Sequence, residues 1–163
     1  ARGVSVYALL RGWGLTCDAT HLTKPDAAGQ ARALSDALRR AALSPADVAY
    51  VNAHGTATRI GDLVECEALA SVWGADLQSL RVSSTKALHG HLLGGAGALE
   101  AVITVMALHE GRLPPNAHCS APDPACAVPL VPDTGLEIAV LRAAISSSFA
   151  FGGTNSVLLF TRD

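Results

Sequence analysis

The chain has 163 residues, half of them apolar, 16% charged, with a net charge of −2. That length allows one domain with a proper core and is short for two; the composition excludes a disordered chain, and the charge gives no electrostatic footing for nucleic acid or an anionic membrane. Four cysteines without a CxxC pair exclude a disulfide-built framework and fit a reducing, cytoplasmic setting.

A start at Ala1-Arg2-Gly3 without methionine or signal-peptide pattern reads as a piece of something longer. Residues 4–10, β-branched and apolar between Gly3 and Gly12, predict a first strand, and residues 13–27 a loop. From 28 to 43, Leu34, Ala37, Leu38 and Ala41 recur at i, i+3, i+4 and i+7, a one-faced helix stopped by Ser44-Pro45. The only basic doublet, Arg39-Arg40, falls on its solvated face. Residues 48–53 predict a short strand running into His54-Gly55, residues 63–72 a helix closed by Gly74, and residues 80–83 a brief strand.

Residues 92–109 predict a helix apolar nearly all round, placed between layers and ended by Gly111 and Pro114-Pro115. Near membrane-spanning length, it carries Glu100, at about 2.5–3.5 kcal/mol on insertion scales, and three glycines, so it reads as a buried helix of a protein outside the membrane. Residues 114–135 are rich in proline and aspartate, an irregular excursion. Residues 136–141, 143–148 and 156–161 predict strands. The alternation indicates an α/β fold with a mixed sheet.

Polar clusters sit at the strand ends, where open α/β sheets build their sites. In Asn52–Thr58, His54 leaves a strand into a glycine turn, either aimed into a crevice or bonded to backbone. In residues 83–101, His91 stands before the apolar helix, where unpaired N–H groups disfavour a positive ring and suit a neutral donor to developing negative charge. Glu100 in that helix needs a partner, and Lys86 is the obvious one. His89 is the rival of His91 for the catalytic role. A metal site from His54, His89, His91 or Cys66 lacks a third ligand placed by spacing, and no metal is expected. The glycines match neither GxxxxGK[ST] nor GxGxxG, where Glu100 takes the last glycine's place. Phe149, Phe151, Gly152 and Gly153 form either a tight turn or a mobile aromatic loop.

Asn52–Thr58 with Asp62, Ser84-Thr85-Lys86 with Gly90-His91, Glu100, and Phe149–Asn155, in this order and spacing, resemble the β-ketoacyl-acyl-carrier-protein synthases, the condensing enzymes of fatty-acid and polyketide synthesis. The resemblance covers essentially the whole chain and implies the C-terminal half of a thiolase-like five-layer αβαβα sandwich, as one domain over residues 1–163. It implies that His54 and His91 stabilise the charge formed when a malonyl-carrier protein loses carbon dioxide, supported by Lys86 and Glu100. Thr56, Thr58 and Thr23 then contact the phosphopantetheine arm, and Phe149, Phe151, Gly152 and Gly153 form a gating loop. The family has a small residue at His89, which removes that rival, and a glycine at Ala150, where alanine resists positive φ.

The nucleophilic cysteine of the family lies in the other half. Cys119 sits in a proline-rich loop, with no helix N-terminus to lower its pKa, and Cys17, Cys66 and Cys126 are also set aside. The chain alone is therefore expected to be inactive. The implied partners are an acyl carrier protein, the N-terminal half and a second copy of the full enzyme, without a covalent cofactor. Asn52, often glutamate in modular polyketide synthases, points to a discrete carrier protein. The alternative is a non-catalytic partner of the chain-length-factor kind, which keeping His54, Lys86 and His91 together disfavours.

Overall fold

The computed structural model describes residues 3–162; residues 1, 2 and 163 of the expected domain lie outside the described residues. In chain order the elements are β1 (Leu9–Cys17), α1 (Ala27–Ala41), β2 (Tyr50–Asn52), α2 (Arg59–Trp73), β3 (Arg81–Ser83), α3 (Lys86–His89), α4 (Ala96–Glu110), β4 (Arg112–Leu113), β5 (Leu136–Glu137), β6 (Ala143–Ala150) and β7 (Thr154–Thr161). A mixed five-stranded sheet runs β1-β7-β6-β2-β3, antiparallel in its first two pairings and parallel in the others.

From β7 to β3 the sheet is covered on both faces because its strands alternate between two cores. Val51, Ile145, Val157 and Leu159 point to α1 and α2, where Leu34, Leu38, Leu69 and Trp73 meet them. Tyr50, Ala144 and Phe160 point the other way, to Ala107 and Leu108 of α4. The result is an αβα stack. Asp26 caps α1, its carboxylate accepting the Ala28 N–H at 3.0 Å. Arg39 pairs with Asp36 on the solvated face, and the Arg40 guanidinium lies 4.7 Å from the centre of the Trp13 ring.

The first strand lies later than its composition indicates. Residues 13–17, expected as loop, are strand, and Gly12, read as its far boundary, lies inside it with Gly14. A Cβ at Gly12 would stand 2.1 Å from the Ala37 carbonyl oxygen, and one at Gly14 1.9 Å from that of Ala33. These glycines let α1 lie directly on β1. Near the other end, only Leu136 and Glu137 of the expected 136–141 strand pair, with Arg112 and Leu113.

The apolar helix also starts later than expected. Residues 86–89 make the short α3, residues 93–95 make a 3-10 turn, and α4 begins at Ala96. One side of α4 packs on the sheet while Val102 on the helix is 59% exposed, so within the described residues α4 is covered on one side only. Among the described residues no helix is long and apolar enough to cross a membrane.

Replacing Gly14 by alanine should lower stability by about 1–3 kcal/mol, the usual range for overpacking a close contact. A urea denaturation series checks this; an unchanged midpoint would mean that α1 can stand off the strand without loss.

Candidate functional site

The parallel strands β2 and β3 deliver their C-terminal ends to one place, and β6 runs beside β2 in the same direction. The chain leaves β2 through Ala53, whose N–H donates to the Ser83 carbonyl, and turns at His54-Gly55. Glu65 of α2 holds that turn. Its carboxylate accepts the His54 N–H at 2.9 Å, the Gly55 N–H at 2.8 Å and the Ser147 hydroxyl at 3.0 Å. From the other side the Ser84 hydroxyl donates to the Gly55 carbonyl at 2.8 Å. The backbone of the turn is thereby satisfied, and the imidazole faces the rings of His91, 5.5 Å away at 83°, and Phe149, 6.0 Å away at 61°. Burial first, then the Lys86 ammonium and then His91, push the His54 imidazole down to about 4.

Glu65 and Ser147 were missed in the sequence. The signal for Glu65 is its place on the buried stripe of α2 with Ala68, Leu69 and Trp73. A carboxylate there requires donors, and burial pushes its pKa up even with three of them.

His91 does not cap the N-terminus of α4, contrary to expectation, because the 3-10 turn intervenes. The Leu93 N–H donates to the His91 Nδ1 at 3.3 Å. Lys86 and Glu100 form the expected ion pair, both side chains buried. The peptide oxygen of Glu100 accepts the Asn52 amide at 3.3 Å and the Thr104 hydroxyl at 2.7 Å, and the Asn52 side-chain oxygen accepts the Thr85 hydroxyl at 3.4 Å. His89, expected to share a face with His91 if extended, lies in α3 instead. Its Nδ1 donates to the Gly90 carbonyl at 2.7 Å and its Nε2 pairs with the Thr85 hydroxyl at 3.1 Å.

His54 and His91 line a common cavity of about 540 Å³ with Thr23, Thr56, Thr58 and Phe149. The Thr56 and Thr58 hydroxyls are 3.3 Å apart. Lys86 and His91 also border a second cavity of about 680 Å³, on whose wall lie Cys66, Cys119 and Cys126. Burial pushes the Cys66 thiol up, and Cys126 likewise. Cys17 ends β1 with its thiol 3.4 Å from the Gly152 carbonyl. Of the expected loop, Phe149 is buried and Phe151 is 78% exposed, with positive φ at Gly152 and Gly153. Ala150 is extended, with φ −117°, so the missing glycine costs this conformation nothing. The loop is tied to the 17–24 segment by Gly152 N–H to Leu22 carbonyl, 2.8 Å, and Asp18 N–H to Gly153 carbonyl, 2.9 Å.

The chain is similar in sequence and fold to known proteins. The chain is 43% identical to 3-oxoacyl-[acyl-carrier-protein] synthase 2 of Synechocystis, over 99% of this chain and 39% of that protein. It is 41% identical to the Staphylococcus aureus protein of the same name, over 98% of this chain and 40% of that one. Among solved structures, a β-ketoacyl synthase from Burkholderia phymatum superposes with a TM-score of 0.90 at 37% identity, over 99% of this chain and 39% of that one. A type II polyketide ketosynthase, AntDE, in complex with its acyl-carrier protein AntF, superposes with a TM-score of 0.95 at 30% identity, over 99% of this chain and 40% of that one. The chain thus spans about two fifths of the length of these relatives. The family model described as "Beta-ketoacyl synthase, C-terminal domain" matches residues 7–120, and on that match the chain belongs to the β-ketoacyl synthases.

Proposed function

We propose that the chain forms the C-terminal domain of an enzyme that performs decarboxylative Claisen condensation. The supporting observation is the convergence of the His54 and His91 rings on one cavity, beside a buried lysine. A malonyl thioester bound there loses carbon dioxide when its C–C bond breaks and the electron pair enters the thioester enolate. A neutral His54, and His91 through Nε2–H, donate hydrogen bonds to the enolate oxygen; such donors are typically worth about 2.7–4 kcal/mol each. The carbanion then attacks an acyl thioester on a cysteine outside this chain, and the thiolate leaves as the β-ketoacyl product forms. None of the four cysteines suits an acyl acceptor: Cys17 ends the edge strand β1 away from the cavity lining, Cys66 lies mid-helix with its thiol pushed up, and Cys119 and Cys126 lie in the irregular 114–135 segment.

Lys86 and Glu100 act as positioning residues. Thr23, Thr56 and Thr58 meet the phosphopantetheine arm of an acyl carrier protein, and Phe149, Phe151, Gly152 and Gly153 gate the acyl channel. The domain needs an N-terminal half that carries the nucleophile. Leu15, 69% exposed on β1, and Trp13, 50% exposed beside Arg40, join Val102 as surface for that half to cover. The full enzyme works in the cytoplasm as a homodimer without a bound cofactor. Retention of both histidines and of Lys86 favours catalysis over a chain-length-factor role.

In the full enzyme, His91→Ala should slow malonyl decarboxylation about 10²–10³-fold while cysteine acylation proceeds, and His89→Ala should be mild. Decarboxylation and acylation assayed separately decide this; equal loss of both, or collapse at His89, would refute the assignment. Glu65→Gln puts an amide N–H against donors already aimed at its carboxylate. It should lower kcat about 10²-fold through a displaced His54, with KM for the malonyl substrate nearly unchanged; a loss confined to KM would show that the turn does not position the ring.

The depressed His54 pKa also has a sign. The unfolded ring binds a proton near 6.5 and the folded one near 4, so the unfolded state holds more protons between those values. The stability this group contributes is complete above pH 6.5 and erodes on acidification through that window. The difference in urea midpoint between the wild type and His54→Asn should therefore shrink from pH 7 to pH 4.5. A constant difference would mean that the ring titrates normally.

A further inference from the structure

One face of α2 looks across the second cavity at the irregular segment. Asp62, Cys66 and Leu69, at i, i+4 and i+7, line the cavity from the helix, and Cys119, Asp123 and Cys126 line it from the opposite wall. The two walls meet at sulfur, where the Cys66 thiol donates a hydrogen bond to that of Cys126. Both thiols are free and half-buried, and neither lines the cavity that holds His54 and His91 together.

The backbone brings Cys126 to α2 from both directions. Before it, the Cys126 N–H donates to the Asp123 carbonyl at 2.9 Å, closing a turn in which the Asp123 carboxylate accepts the Ala125 N–H at 2.9 Å. After it, the Val128 N–H donates to the Cys126 carbonyl at 2.8 Å, and the chain then runs along β3. There the Val82 N–H donates to the Pro129 carbonyl at 2.9 Å and the Val131 N–H to the Val82 carbonyl at 2.8 Å. Val128 and Leu130 pack against the core that contains Leu69, three residues from Cys66 on the same helix. Between these anchors residues 114–127 form neither helix nor strand. The shift that closes an S–S bond therefore falls on backbone that breaks no ladder.

Neither thiol is a ready nucleophile. Burial pushes both up, and the carboxylates of Asp62 and Asp123 act in the same direction. The hydrogen bond from Cys66 works the other way at Cys126 and marks it as the sulfur that loses its proton first. Such a pair suits a bond made under oxidant rather than a step of each turnover.

We propose that Cys66 and Cys126 are a thiol–disulfide site, oxidised by hydrogen peroxide to a bond that fastens the irregular segment to α2 and reopened by small-molecule thiols. The Cys126 thiolate attacks one peroxide oxygen, the O–O bond breaks, and a sulfenic acid forms on Cys126. The departing hydroxide takes up the proton that the thiol lost and leaves as water. The Cys66 sulfur then attacks the sulfenic sulfur, the S–O bond breaks, and the second oxygen leaves as water with the Cys66 proton. Two thiols give up two electrons, and the peroxide is reduced to two waters. Two small-molecule thiols reverse the bond through a mixed disulfide and depart as their own disulfide. The site is independent of the condensing reaction proposed above.

The test treats the full enzyme with hydrogen peroxide, blocks free thiols with N-ethylmaleimide and maps the unreduced peptides by mass spectrometry. It compares the wild type with Cys66→Ala, Cys126→Ala and Cys119→Ala. The wild type and Cys119→Ala should yield a linked Cys66–Cys126 peptide, about 2 Da lighter than the two thiol peptides together. Maleimide labelling of both thiols should fall together by roughly tenfold and return after dithiothreitol. Cys66→Ala and Cys126→Ala should yield no such peptide. With dimedone present, Cys66→Ala should carry a sulfenic adduct on Cys126, because the thiol that resolves it is gone.

Undiminished labelling in the wild type, a Cys119–Cys126 bond as the main product, or sulfinic acids without a linked peptide would each overturn the proposal. So would a folded Cys66→Ala enzyme that takes up no dimedone. The wild-type map decides by itself where a variant does not fold.

Discussion

The site is organised around a charge that could not otherwise be buried. The Lys86 ammonium and Glu100 carboxylate pair in the interior, and neither would survive there alone, since breaking a buried pair typically costs about 3–5 kcal/mol. Satisfying the pair draws α3 onto the first turns of α4. The intervening segment must then fold back through Gly90 and the 3-10 turn at Leu93–Gly95. His91 lies in that segment, so the ion pair helps to set where its ring stands. The same ammonium also faces His54 and helps keep that ring free of a proton. One electrostatic contact thus helps to place one imidazole and adds to the burial that keeps the other uncharged.

The second histidine is held by a different device. Glu65 leaves the His54 ring alone and grips the backbone at His54 and Gly55. A hydrogen bond to the ring would consume a group needed for chemistry, whereas a bond to the peptide fixes direction and leaves the ring free. Ser147 links this clamp to β6, the strand that ends at the Phe149 loop. Phe149 then packs edge-on toward His54, so the ring, the clamp and the loop form one connected set of contacts. The parallel β2, β3 and β6 make this possible by presenting their ends on the same side of the sheet.

Much of this was legible in the sequence, and the parts that were not share a cause. The spacing of Leu34, Ala37, Leu38 and Ala41 located α1 because a helix that packs on one side writes its period locally. The Lys86–Glu100 pair was legible because a carboxylate in an apolar helix demands a cation. Gly12 was misread as a strand end and Gly14 as loop, since their role depends on the Ala37 and Ala33 carbonyls of a helix further along the sequence. The 136–141 run has the composition of a strand, but only Leu136 and Glu137 find a partner. Strand length is decided by pairing, which a one-dimensional pattern does not contain. Glu65 and Gln30 were readable by the rule that found Glu100. They were overlooked because their helices also carry the polar residues of a solvated face, among which one more excites no suspicion.

Those two residues show where local pattern and function part. A core position filled by a polar group sacrifices burial energy, and the geometry states what is received in return. At Glu65 the return is internal: three donors meet the carboxylate, and a turn is fixed. At Gln30, 1% exposed, the amide oxygen finds no partner among the described residues. The two cases differ in whether the chain supplies the donors. Buried polar groups that the chain itself satisfies describe how the site is built.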